Sequence, residues 1–141
     1  MVTTPVAALK RTRARLEELT ADEDRGVLEL ARSGAELAGV VSFHGNLDTP
    51  LPASAGDIKG SVLVCHGADD PYVPADSVTG FMDEMRNAGV DWQMVFYGNA
   101  VHSFTHESAG TDNSTGAAYN AEAAHRSWEV QLDFFSEIFS R

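Results

Sequence analysis

The chain has 141 residues, of which 43% are hydrophobic and 22% charged, the balance of a soluble globular protein with room for one compact domain. Its 21 acidic residues against 10 basic ones give a net charge of −11, which disfavours electrostatic binding to nucleic-acid backbones or anionic membranes. One cysteine, Cys65, excludes an internal disulfide and any zinc site built on several thiolates.

No apolar run reaches the ~20 residues that span a bilayer. The opening MVTTPVAALKRTRAR lacks the apolar core and cleavage site of a secretory signal, so the expected location is the cytoplasm. From Pro5 to Leu19, Val6, Leu9, Leu16 and Leu19 recur at helical spacing and predict an amphipathic packing helix. After the polar stretch TADEDRG, VLELARSGAEL predicts a second short helix with Val27, Leu28, Leu30 and Ala31 as its apolar face and Gly34 as a C-cap.

Three short apolar runs follow, AGVVSFHG, KGSVLVCHG and DWQMVFYG, each bounded by turn residues. Val40–Phe43 and Val62–Cys65 are nearly continuous in apolar and β-branched residues, the pattern of parallel strands covered on both faces. The third run is more polar and suits an edge strand. Between the second and third, SVTGFMDEMRNAG places Val78, Phe81, Met82 and Met85 on one helical stripe, with Gly89 as a stop, which makes a strand–helix–strand crossover. SAGTDNSTG reads as a surface loop. In the C-terminal stretch, Ala124, Trp128, Leu132, Phe135 and Phe139 fall at spacings of three and four, so this helix is expected to lay that stripe across one face of the sheet.

Chemistry concentrates where strands end. Asp70 lies in HGADDPYVP just after the second strand, and the C-terminal ends of parallel strands are where open α/β sheets place ligand groups. A carboxylate there can orient an imidazole; equally, Asp69 or Asp70 before Pro71 can serve a local turn. His102 lies in YGNAVHSF beyond the third strand, so acid then base follow in the chain order of the second half of a hydrolase triad. His44, His66, His106 and His125 have neither HExxH nor HxH spacing, and no metal site is expected. His44 and His66 are expected as solvated loop residues at the sheet edge, with ligand contact as the alternative. Cys65 ends an apolar strand and reads as a small buried hydrophobe. Ser42 has glycines three residues away on each side, whereas a nucleophile elbow needs them two away.

The blocks LELARSGAELAGVVSFHG, VLVCHGADDPYVP, MVFYGNAVHSFT and AAYNAEAAHRSWEVQLDFF resemble, in order and spacing, successive blocks of the dienelactone hydrolase family. The likeness is strongest over residues 27–139 of a single partial domain spanning 1–141. It implies a truncated α/β-hydrolase fold with about three parallel strands and flanking helices. It also implies cofactor-free hydrolysis of lactones or carboxylic esters, with Asp70 as triad acid and His102 as base.

The family's Cys or Ser elbow would stand directly before the helix near Val27, where this chain has ADEDRG. KRTRARLEEL resembles the family's preceding helix, so the resemblance implies that the central strand and elbow are missing along with the first strands. The strand at Val40–Phe43 would then be an edge open to self-association. The alternative to a hydrolase is a catalytically inactive remnant, or a module binding a small molecule or a protein.

Overall fold

The structure is a computed structural model and describes residues 26–141; the helix expected at Pro5–Leu19 lies outside the described residues. Helix α1, Gly26–Arg32, leads into strand β1, Gly39–Phe43, then β2, Ser61–Gly67, helix α2, Ala75–Ala88, strand β3, Trp92–Tyr97, and helix α3, Ala121–Phe139. Two 3-10 turns, Glu107–Ala109 and Asn113–Thr115, interrupt the segment before α3.

Among the described residues the strands form one parallel sheet in the order β1-β2-β3, with Val40 beside Val62 and Val64 beside Met94. This is the arrangement of about three parallel strands with flanking helices that the resemblance implies. Helices α1 and α2 cover one face and α3 the other. Alternation along β2 sends Val62 and Val64 into a core with Leu28, Ala31, Val40, Phe81 and Met85. It sends Leu63 and Cys65 into a second core with Ala123, Phe134 and Ile138. All seven residues of β2 are buried, as a central parallel strand requires.

At β1 both faces are covered, but unevenly: Val40 and Ser42 are buried, whereas Gly39, Val41 and Phe43 pack under α3 and stay half-buried. The composition is that of a central strand, whereas β1 has one neighbouring strand among the described residues. The polar third run does sit at the other edge, where Gln93 and Phe96 are exposed.

Helix ends follow local chemistry. Gly89 takes φ +68° and its N–H donates to the Arg86 carbonyl, closing α2 where predicted. The Asn120 side chain accepts from the Ala123 N–H at 3.0 Å, an N-cap that starts α3. Helix α1 is shorter than its periodicity suggests. It stops at Arg32, and Gly34, at φ +84°, donates to the Ala31 carbonyl, so Ala35–Leu37 fall outside the helix.

The second correction concerns α3. The helix crosses the sheet, but it buries Ala123, Ser127, Phe134 and Ile138, with Val130 partly buried. The predicted stripe is largely turned outward: Trp128 is 54%, Leu132 48% and Phe139 71% exposed. The helix has two apolar faces, and the sheet takes the one built from smaller residues at its N-terminal half.

A charged clamp lies on the opposite side of the sheet. The Arg32 guanidinium donates from Nε and Nη2 to the two oxygens of Glu84, each at 2.8 Å, and from Nη1 to Glu29 at 2.8 Å. Its Nη2 also reaches the Leu47 carbonyl, and Glu84 accepts from the Ala53 N–H. With Arg32, Glu29 and Glu84 all buried, the group ties α1, α2 and the loop after β1 together.

Candidate acid–base site at the sheet's C-terminal lip

β2 ends at Gly67, whose position admits no side chain. A Cβ there would meet the carbonyl oxygens of Ala100 and Val101, each at 2.7 Å. This close approach presses the loop after β2 against the loop after β3. Two backbone hydrogen bonds hold them together, Ala68 N–H to Tyr97 at 2.9 Å and Asp69 N–H to Ala100 at 3.0 Å, while Asp70 N–H turns back to Gly67 at 3.2 Å within the first loop.

Asp70 and His102 come together on those loops. The Asp70 side chain is fully shielded from solvent, and its Oδ2 lies 2.9 Å from His102 Nδ1. Its Oδ1 accepts from the Tyr72 N–H at 2.8 Å. The turn role and the imidazole-orienting role, weighed as alternatives in the sequence, are thus both filled, one by each oxygen. Asp69 is exposed.

His102 is fixed through its backbone as well. Its N–H donates to the Gly116 carbonyl at 3.1 Å and its carbonyl accepts from Ala118 at 3.0 Å, a short parallel bridge to the segment before α3. Ser103, immediately after it, takes φ +58°, a left-handed conformation uncommon for a residue with a side chain. The stretch SAGTDNSTG is exposed over most of its length, as read, yet its end frames the histidine: Tyr72 Oη donates to the Thr115 carbonyl at 3.0 Å. The Tyr72 ring meets the His102 ring edge-on at 5.4 Å. Neither Tyr72 nor Thr115 carries a sequence motif that would have singled it out.

His44 and His66 are not solvated; they are 5% and 3% exposed. His66 lies within β2, since that strand runs two residues further than Val62–Cys65. Burial lowers its pKa from the ordinary 6.5, the Asp70 charge opposing and His102 adding to the effect, so the ring is held neutral. Its Nδ1 is buried without a hydrogen-bond partner among the described residues. His44, at φ +44°, follows β1; its Nε2 lies 2.7 Å from Thr105 Oγ1. Its ring stands 5.7 Å from that of His102 and 4.8 Å from that of His106. Among the described residues no set of three His, Cys, Asp or Glu side chains is placed to hold a metal ion.

Neither Cys65 nor Ser42 reaches this lip. Cys65 is fully buried beneath α3, 3.9 Å from the Tyr97 hydroxyl, and burial pushes its thiol up to about 11 against the lowering effect of that hydroxyl. Ser42 is buried within β1, on the face covered by α1 and α2 with Val40. Among the described residues no helix is long and apolar enough to cross a membrane.

Comparison with known proteins agrees with this architecture. The chain is 39% identical over 107 residues to Uncharacterized protein K02A2.1 of Caenorhabditis elegans, a match covering 74% of this chain and 66% of that protein. It superposes on the solved structure m3DLH with a TM-score of 0.75 and 47% identity, covering 82% of this chain and 48% of that one. A dienelactone hydrolase-like promiscuous phosphotriesterase from metagenomic libraries, P91, gives a TM-score of 0.73 and 44% identity over 94% of this chain and 62% of its own. The chain thus spans between about half and two thirds of the length of these relatives. The model of the dienelactone hydrolase family matches residues 25–139, and the chain belongs to that family.

Proposed function

We propose that this chain carries the acid–base half of a hydrolase site for carboxylic esters or lactones, with Asp70 as the orienting acid and His102 as the proton carrier. The observation that supports it is the 2.9 Å contact between Asp70 Oδ2 and His102 Nδ1 at the C-terminal lip of the sheet. With Nδ1 engaged by a carboxylate, Nε2 is the nitrogen that removes a proton from the attacking group and returns it to the leaving oxygen. The carboxylate stabilises the imidazolium between those two transfers.

Among the described residues neither Cys65 nor Ser42 reaches this lip, so this reading gives the attack to water. Loss of a triad nucleophile lowers turnover on the order of 10⁶-fold. The expected activity is therefore slow, general-base hydrolysis of an activated ester. Purified full-length protein given p-nitrophenyl acetate should show weak turnover that His102→Ala and Asp70→Ala abolish. Turnover that survives His102→Ala would remove the assignment. Because P91 is described as a promiscuous phosphotriesterase, a p-nitrophenyl phosphotriester is the second substrate to assay.

A second reading, a binding module without turnover, draws on a different observation, the apolar outer face of α3. Well-folded protein with no histidine-dependent hydrolysis would favour it.

A further inference from the structure

The β3 side of the sheet carries a polar group that the acid–base pair does not use. His66 and Phe96 are register partners on β2 and β3, and strand alternation puts both on the face that packs Val64 and Met94 against α2. Their rings meet edge-on at 5.7 Å. His66 is 3% exposed, whereas Phe96 is half exposed at the sheet's edge. A concavity of about 390 Å³ lies between these rings and the start of α2, walled by Pro71, Val73, Val78 and Phe96, with His66 and Ala75 in its lining. That is room for a small ligand against mostly apolar walls.

Hydrogen-bond donors gather there without acceptors. Helix α2 follows Pro74, which has no N–H and no capping side chain, and the Pro74 carbonyl accepts from Ser77 and Val78. The N–H groups of Ala75 and Asp76 are left without a backbone acceptor among the described residues, and they run along the helix axis toward its start. His66 adds a third donor. Burial keeps its ring neutral, so one nitrogen carries the proton. Nδ1 is sealed off with no partner among the described residues. Orphaned N–H groups are rarer in folded proteins than orphaned acceptors, so the proton belongs on Nε2, which is not closed off in that way.

We propose that this concavity binds a small neutral molecule through a carbonyl oxygen, which accepts from the start of α2 and from His66 Nε2, with a flat apolar body laid against Phe96. A carbonyl oxygen has two lone pairs for such donors. The exposed aromatic ring offers its face to a planar group.

Charge selects a neutral ligand over an anion. Asp70 lines the same concavity, but its oxygens are engaged by the Tyr72 N–H and by His102, so it acts here as a charge rather than as a partner. The exposed Asp76 stands in the first turn of α2. Two carboxylates beside the helix start offset the pull of its dipole on an anion and leave the N–H groups able to donate. An amide, ester or lactone supplies the acceptor without the charge. Binding here does not depend on turnover by Asp70 and His102.

Proton–nitrogen correlation NMR on the full-length protein, titrated with benzamide, tests this. Saturable shifts should centre on the Ala75 and Asp76 amides and the His66 ring. Benzoate, which replaces the amide by a charge, and benzylammonium, which has no acceptor, should each bind about fivefold more weakly or worse, the worth of one hydrogen bond. Ala75→Pro deletes an N–H at a helix position that tolerates proline and should weaken benzamide by a similar factor with circular dichroism unchanged. Ala75→Val adds comparable bulk but keeps the N–H, and should bind like the wild type. His66→Phe keeps a flat ring without the donor and should also lose about fivefold; if that variant fails to fold, the Ala75 pair decides. No saturable shifts, shifts centred elsewhere, benzoate binding as tightly as benzamide, or equal affinities for Ala75→Pro and Ala75→Val would overturn the proposal.

Discussion

The two faces of the sheet are finished to different degrees. Under α1 and α2, Val40, Val62, Val64, Phe81 and Met85 close against one another, and Arg32 locks both helices to the loop after β1 through two buried carboxylates. Under α3 the inner packing around Leu63, Phe134 and Ile138 is equally dry, yet the helix turns a second apolar stripe outward. The contrast teaches that burial of a helix against its own sheet is not the same as burial of its hydrophobic sequence. One face is complete within the described residues; the other has apolar surface to spare.

Substitutions can break or sharpen that contrast. The largest effect is expected on the closed face. Arg32→Ala leaves Glu29 and Glu84 buried without their guanidinium and should cost about 3–5 kcal/mol in urea unfolding. A loss under about 1 kcal/mol would mean the clamp is not what closes that face. At the lip between the faces, Gly67→Ala must push the Ala100–Val101 backbone away. About 1–3 kcal/mol of destabilisation is expected, together with loss of the Asp70–His102 hydrogen bond, read from the His102 imidazole proton by NMR. The smallest effect belongs to the open face: Leu132→Ala should change stability by no more than about 0.5 kcal/mol. A loss of the size seen for a core leucine, about 2–5 kcal/mol, would show that the outer stripe is already covered.

Much of the fold was legible because its signals are local. Turn residues delimit all three strands, the apolar runs alternate correctly into both cores, and Gly89 stops α2 where a left-handed residue is needed. The site was legible in part. Asp70 and His102 stand out because each follows a strand end, but nothing at positions 70–72 says that one aspartate serves both turn and imidazole. What misled was degeneracy. On α3, Trp128, Leu132 and Phe139 fit a helical stripe as well as Ala123, Phe134 and Ile138 do, and periodicity cannot say which stripe the sheet receives. The burial of His44 and His66 is a tertiary fact, set by aromatic neighbours such as Phe104 and Phe96 that arrive from distant segments.

The order of strands across the sheet repeats their order along the chain. Each described pairing therefore joins sequence neighbours through a single crossover, Phe43 to Ser61 and then Gly67 to Trp92. Closing such loops costs little extra as they lengthen, about 0.6 kcal/mol per doubling. The half-fold can thus assemble by successive addition of strands, with none held back for a distant segment to arrive. A strand joining beyond β1 would pair with its outer edge without breaking the β1–β2 or β2–β3 pairing.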